Sequence, residues 1–210
     1  FKPWGKLVSS IEMALWDIAG KEAGVPVYKL LGGKVRDRVR VYCTQYSQEK
    51  LPYPDPEDAR QRAEDILWLH EEAGFTIVKT AISFHSPRFR RLAEEEGYAY
   101  TSYPISPSVP YPDGANGSLL TDKGLHYLID YVGTIKEIVG DKVGIAFDCG
   151  PGLTAIDALK FAKGVEPFNV MWLEDMVTGD YTPYSLAQVY RDITQNTTTN
   201  IHTGEQVYLR

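Results

Sequence analysis

Three short segments decide how this chain folds: Val143-Gly144-Ile145-Ala146-Phe147-Asp148, Val170-Met171-Trp172-Leu173-Glu174 and Asn200-Ile201-His202-Thr203-Gly204-Glu205. Each runs through apolar residues into a carboxylate and then breaks at polar or glycine-rich sequence, which is how a buried strand ends. The acids stand 174 − 148 = 26 and 205 − 174 = 31 positions apart, about the length of a strand, a helix and the return in a βα unit. Successive parallel strands with this spacing set Asp148, Glu174 and Glu205 side by side at one end of a sheet.

Three carboxylates gathered in one place repel, so each must take up a proton or share a cation. An oxygen-only donor set with no cysteine or histidine cluster suits a hard divalent ion, and Mg2+ is the usual choice where positions must stay open for substrate oxygens. The simpler reading is that a strand-end acid caps the next helix or faces water. That reading fits any one of the three more easily than all three on consecutive units.

The composition is that of a globular chain with a sizeable core: 210 residues, 43% hydrophobic and 24% charged. Its net charge of −6 argues against nucleic acid, whose phosphates select basic surfaces, and favours small-molecule partners. No apolar run approaches the roughly 20 residues of a membrane span, and Phe1-Lys2-Pro3-Trp4 does not resemble a signal peptide. No membrane partner is expected. Cys43 and Cys149 form neither a CxxC nor a metal spacing, so buried free thiols in a reducing cytoplasm are expected.

Outward from the three acids, the chain alternates β and α. A helix is predicted over 10–23, with Ser9 and Glu12 as a capping box, Ile11, Ala14, Leu15, Ile18 and Ala19 on one face, and Gly24 and Pro26 as the stop. Asp17 on this helix reads as a structural hydrogen-bonding residue. A helical turn over 27–31 follows. Strands are then predicted over 39–44, 75–82, 143–148, 168–174 and 200–204, and helices over 56–73, 121–139, 153–163 and 183–193. Residues 83–120 are irregular and rich in proline and glycine, an interlude long enough to suggest a functional loop. Such alternation means a parallel sheet covered by helices, either doubly wound or a (β/α)8 barrel, with its site at the C-terminal strand ends. Five strands are too few to close a barrel of eight, so a barrel reading makes this the first part of one.

The residues Ser10-Ile11-Glu12-Met13-Ala14-Leu15-Trp16-Asp17-Ile18-Ala19-Gly20-Lys21 and Gly24-Val25-Pro26-Val27-Tyr28-Lys29-Leu30-Leu31-Gly32-Gly33 resemble the junction between capping domain and barrel in the enolase superfamily, in its mandelate racemase and muconate lactonizing enzyme branch. Phe147-Asp148, Trp172-Leu173-Glu174-Asp175 and Gly204-Glu205-Gln206 resemble the three magnesium-ligand motifs of that family. The resemblance implies an α/β fold: a partial (β/α)8 (TIM-like) barrel holding the first five strands, preceded by the last helices of an α+β capping domain. It divides the chain into 1–36, the capping-domain end and junction, and 37–210, the barrel part that carries the ligands.

The resemblance further implies Mg2+ held by Asp148, Glu174 and Glu205, and a carboxylate substrate whose α-proton is taken by a base while the metal holds the resulting enediolate. The reaction it implies is dehydration of a sugar acid. A racemase or epimerase of a hydroxy acid and a non-catalytic metal- or ligand-binding α/β domain are the alternatives. The family often carries Lys-x-Lys on the second strand; here Lys79 matches the first lysine, as a catalytic group near the substrate carboxylate, while Ala81 stands where the second, the base, would be. A His-Asp pair on the sixth and seventh strands, beyond Arg210, serves as the base in some relatives. Relatives commonly assemble, so a homo-oligomer is expected.

Other residues have competing readings. Lys79 is also an ordinary strand-end lysine, and His85 is either an acid in the site or a loop bystander. His202, three positions before Glu205, is turned away from the inward set by strand alternation and is expected to pack. Tyr98, Tyr100, Tyr103 and Tyr111 form either a lid or an ordered surface loop. Asp175 is placed to orient the ligands, and Gly150 supplies no side chain where some family members carry a catalytic group.

Overall fold

The computed structural model describes residues 2–44, 58–82, 95–100, 119–150, 153–177 and 187–204. These fall into two compact units, 2–41 and 42–204.

The first unit holds helices α1 (Lys2–Glu22) and α2 (Val27–Leu30). Helix α1 begins well before the Ser9 capping box, which therefore lies inside it. Pro3 does not prevent this, because a proline in the first turn lacks only an N–H that would have no helical partner. The C-terminus is as predicted: Gly24 adopts φ 65, and the Val25 N–H donates to the Gly20 carbonyl at 3.0 Å, closing a Schellman turn. Ile11, Leu15 and Ile18 are exposed, and Asp17 accepts from Lys21 at 2.6 Å in an exposed i,i+4 pair.

The second unit is built on a five-stranded sheet of β1 (Cys43–Thr44), β2 (Ile77–Ala81), β5 (Gly144–Asp148), β6 (Trp172–Glu174) and β7 (Ile201–His202), in that spatial order. Every pairing is parallel. The order follows the chain without reversal. A doubly wound sheet reverses at a switch point, so this progression is that of a partial (β/α) barrel. Helices α3 (Ala59–Glu71), α4 (Asp122–Val139), α5 (Ala155–Gly164) and α6 (Ala187–Thr194) alternate with the strands.

The core follows from the sequence. Ile145, Ala146 and Phe147 of β5 are all buried, as expected for a parallel strand covered on both faces. Ile66 of α3 and Leu128, Val132 and Ile135 of α4 join them, and α3 packs on α4. Burying each such side chain contributes about 1.5–3 kcal/mol. The helices start at side-chain caps: Asp58 accepts from the amides of Arg60 and Gln61, Thr121 from Gly124 and Thr154 from Asp157.

Other elements also depart from the sequence expectation. Of the strand predicted over 39–44 only Cys43 and Thr44 pair, and Val39 and Val41 are exposed. Phe168 ends a 3-10 turn (Glu166–Phe168) that closes through Asn169 in the left-handed region, so β6 begins at Trp172. Inside the irregular interlude, β3 (Ala99–Tyr100) and β4 (Leu119–Leu120) pair antiparallel. Gly124 lets α4 start against this pair, since a Cβ there would meet the Tyr98 carbonyl oxygen at 1.8 Å.

Candidate functional site

Register brings the site together. Ala81, Asp148, Glu174 and His202 occupy one row across β2, β5, β6 and β7. Thr44, Lys79, Ala146 and Trp172 form the row two residues earlier along the strands. Side chains two apart on a strand share a face, so both rows face the same way.

Lys79 and Glu174 are buried, at 6% and 5% exposure. The Lys79 ammonium donates to Glu174 Oε1 at 2.6 Å and lies 3.1 Å from Asp148 Oδ2, so one cation spans two strand-end carboxylates. The other oxygen of each acid is held by the protein. Gly150 N–H donates to Asp148 Oδ1 at 3.0 Å, with Gly150 at φ 47, a left-handed conformation that glycine adopts readily. Trp172 Nε1–H donates to Glu174 Oε2 at 2.8 Å, and His202 Nδ1 lies 3.4 Å from the same oxygen.

Two opposing effects set the charges. Burial alone would lower the Lys79 pKa, but the hydrogen bond it donates to Glu174 and the Asp148 charge raise it above its ordinary value, so it stays an ammonium. Burial alone would raise the Glu174 carboxyl. The hydrogen bonds from Lys79 and Trp172 outweigh that and hold it below the usual carboxylate range. Cys149, beside Asp148, is fully buried, and burial pushes its thiol up, which leaves it inert as a nucleophile.

The Lys79 contacts test whether a divalent ion fits. Asp148 Oδ2 and Glu174 Oε1 already converge on a positive charge, and both are hard oxygen donors of the kind Mg2+ takes. Glu205 lies outside the described residues. Among the described residues no group of three or more His, Cys, Asp or Glu side chains is arranged to hold a metal; of the three acids expected from the sequence, the structure brings Asp148 and Glu174 together. Asp175 is buried beside them at φ 48, and its amide donates to the His202 carbonyl at 3.0 Å.

The remaining candidates divide. His85, Tyr103 and Tyr111 lie outside the described residues. Tyr98 stacks on Tyr127 with ring centroids 4.5 Å apart, while Tyr100 is exposed. Cys149 is buried as expected, but Cys43 is partly exposed, and both are free. His202 does not turn away: it pairs with Glu174 across β6 and β7. The alternation counted back from Glu205 fails because β7 ends at His202 and Gly204 takes φ 125. Trp172 and Tyr42 were not singled out by sequence. The Tyr42 and Trp172 rings meet edge-on at 5.4 Å, and Lys79 Nζ lies 5.5 Å from the Tyr42 ring centre. Trp172 sits two residues before Glu174, and the strand period alone would have put it on the same face.

The "Enolase C-terminal domain-like" family model matches residues 62–210. The model for the mandelate racemase / muconate lactonizing enzyme N-terminal domain matches residues 6–32. The chain is 33% identical over 201 residues to a D-xylonate dehydratase of Haloferax volcanii, covering 96% of this chain and 40% of that protein. It is 32% identical to the D-galactonate dehydratase family member ManD of Chromohalobacter salexigens, over 94% of this chain and 44% of that protein. The chain thus spans less than half the length of these curated relatives. Among solved structures, a mandelate racemase/muconate lactonizing enzyme-like protein from Roseovarius sp. TM1035 superimposes with a TM-score of 0.69 at 25% identity, covering 93% of this chain and 42% of that one. An enolase from Agrobacterium radiobacter, solved with sodium and L-malate bound, gives 0.58 at 27% identity, over 92% and 39%.

Proposed function

Because the chain belongs to the enolase C-terminal domain-like family, with a mandelate racemase / muconate lactonizing enzyme N-terminal segment ahead of it, we propose that it serves a lyase that dehydrates a sugar acid. The observation that carries this reading is the pair of anchored carboxylates, Asp148 and Glu174, converging on one cation at adjacent parallel strand ends. Asp148 and Glu174, with Glu205, would hold Mg2+. Bound there, Mg2+ supplies Lewis-acid stabilisation of the charge that a substrate carboxylate gains as its α-proton leaves.

Lys79 has a different task in this reading. Its ammonium, which Asp148 and Glu174 favour in the metal-free site, would present positive charge towards the substrate carboxylate and would not take the α-proton. Ala81, in the Asp148 row, contributes only a methyl group, so the base comes from elsewhere. The dehydratase names of the relatives support the substrate class, and malate in a structural neighbour is a hydroxy acid of related chemistry. The free thiols of Cys43 and Cys149 support a reducing compartment, the cytoplasm. Among the described residues no helix is long and apolar enough to cross a membrane.

The test is to incubate the full-length protein and Mg2+ with a panel of sugar acids and to follow formation of a 2-keto acid. Loss of the α-proton and the β-hydroxyl gives an enol that becomes that ketone. Solvent deuterium entering the α-carbon with no keto acid formed would replace the dehydratase reading with a racemase or epimerase. Neither signal with any sugar acid, alongside retained Mg2+ binding, would leave a non-catalytic metal-binding domain.

A further inference from the structure

The two oxygens of Glu174 are treated differently by their surroundings. Oε1 faces Lys79 and, through it, Asp148, whereas Oε2 takes the Trp172 indole N–H at 2.8 Å and has His202 Nδ1 at 3.4 Å. A carboxylate on a glutamate side chain turns easily about its last bond, and either oxygen, or both, could then face a cation. We propose that Trp172 is a positioning residue for cation binding: its indole N–H pins Glu174 Oε2 and so leaves Oε1 as the oxygen offered to the ion. The proposal rests on the reading of Asp148 and Glu174 as cation ligands.

The chemistry of the donor fits the task. An indole N–H donates and cannot accept, so it holds the carboxylate without offering the cation a donor atom of its own. Its ring is set edge-on against Tyr42, at 5.4 Å and 73°, and against His202, at 5.6 Å and 84°. Such edge-to-face contacts favour a defined ring orientation, which fixes the direction of the N–H. Asp148 shows the same division of labour, one oxygen on the Gly150 amide and the other towards Lys79. Partners that orient a metal ligand typically change affinity about 10–100-fold when removed.

The experiment is Mg2+ titration by calorimetry of the full-length protein, its Trp172→Phe variant and its Asp148→Asn variant. Phenylalanine keeps most of the ring and removes the N–H. The expected result is affinity lowered about 10–100-fold in Trp172→Phe, with unchanged circular dichroism, and lowered at least as far in Asp148→Asn. Affinity within twofold of the parent in Trp172→Phe, with binding lost in Asp148→Asn, overturns the role of Trp172 and leaves the cation site standing. Binding unchanged in Asp148→Asn overturns the cation site itself. Should Trp172→Phe fold poorly, the unsubstituted protein labelled with 15N-tryptophan decides the matter. The indole N–H resonance assigned to Trp172 is expected to shift on adding Mg2+, and that resonance unmoved at saturating Mg2+ overturns the proposal.

Discussion

Lys79 and Glu174 stand 95 positions apart in sequence and meet at 2.6 Å, both buried, with Asp148 3.1 Å from the same ammonium. Lys79 therefore occupies the electrostatic place that a divalent cation would share. Removing it by Lys79→Met leaves two acids without their counter-charge, which costs about 3 kcal/mol when one member of a buried pair is deleted. It also removes the charge that repels an incoming cation. The variant is expected to melt lower than the parent in chelator and to gain more in melting temperature from Mg2+. Equal Mg2+-induced shifts in variant and parent would show that ammonium and metal do not compete for Oε1 and Oδ2.

Glu174→Gln tests the other side of the pair. Glutamine keeps an oxygen for the Trp172 N–H but loses the charge, and Mg2+ prefers charged oxygen donors. Affinity is expected to fall by about 100-fold or more, beyond the usual loss for an orienting partner, and any catalytic activity should lose its Mg2+ dependence. Calorimetry on the two proteins measures the first, and rates across a Mg2+ series the second. Unchanged affinity would remove Glu174 from the ligand set.

Asp148 and Glu174 were legible in the sequence because a buried parallel strand advertises itself as an apolar run and its end as a polar break. The order of the strands followed from the βα alternation once a barrel was chosen over a doubly wound sheet. What was not legible depends on where strands stop. The side of His202 is not legible, because alternation does not continue through Thr203 and Gly204, where the chain has already left the strand. Trp172 is in plain view two residues before Glu174, but the rings it meets edge-on, Tyr42 just before β1 and His202 in β7, come from distant parts of the sequence. The pairs Ala99–Leu120 and Tyr100–Leu119 are too short to leave any period in the sequence.

Glu166 provides a pH-dependent tie between the 3-10 turn and the approach to β7. Its Oε1 accepts from the Thr198 amide and the Thr197 hydroxyl, each at 2.8 Å. These bonds, the amide first, hold its carboxyl below the ordinary value. A carboxyl depressed in the folded state binds fewer protons there than in the unfolded chain, so its contribution is complete above the unfolded pKa of about 4.3 and fades as pH falls through the folded value. Glu166→Gln is expected to lower the urea midpoint at pH 7 and to differ less from the parent at pH 3. A gap that is constant between the two pH values would show that the charge of Glu166 is not what the two threonines stabilise.

Asp157 is the buried acid that the strand-end pattern does not touch. It is 2% exposed, and its Oδ2 accepts from the Leu120 amide at 3.0 Å and the Thr154 hydroxyl at 2.9 Å. Thr154 in turn accepts from the Asp157 amide at 3.2 Å, so the start of α5 and strand β4 are fastened by one carboxylate. Asp157→Ala strands the Leu120 N–H without its acceptor and loosens the cap. A hydrogen bond to a charged group contributes about 1.5–3 kcal/mol, and the expected loss is about 3 kcal/mol, seen as a lower urea midpoint at unchanged slope. Amide exchange locates the effect: Leu120 should lose protection beyond what global destabilisation explains, while Ile145 and Phe147 in β5 should follow the global loss alone. Uniform acceleration across all three amides would mean that Asp157 supports the whole unit and not the tie between α5 and β4.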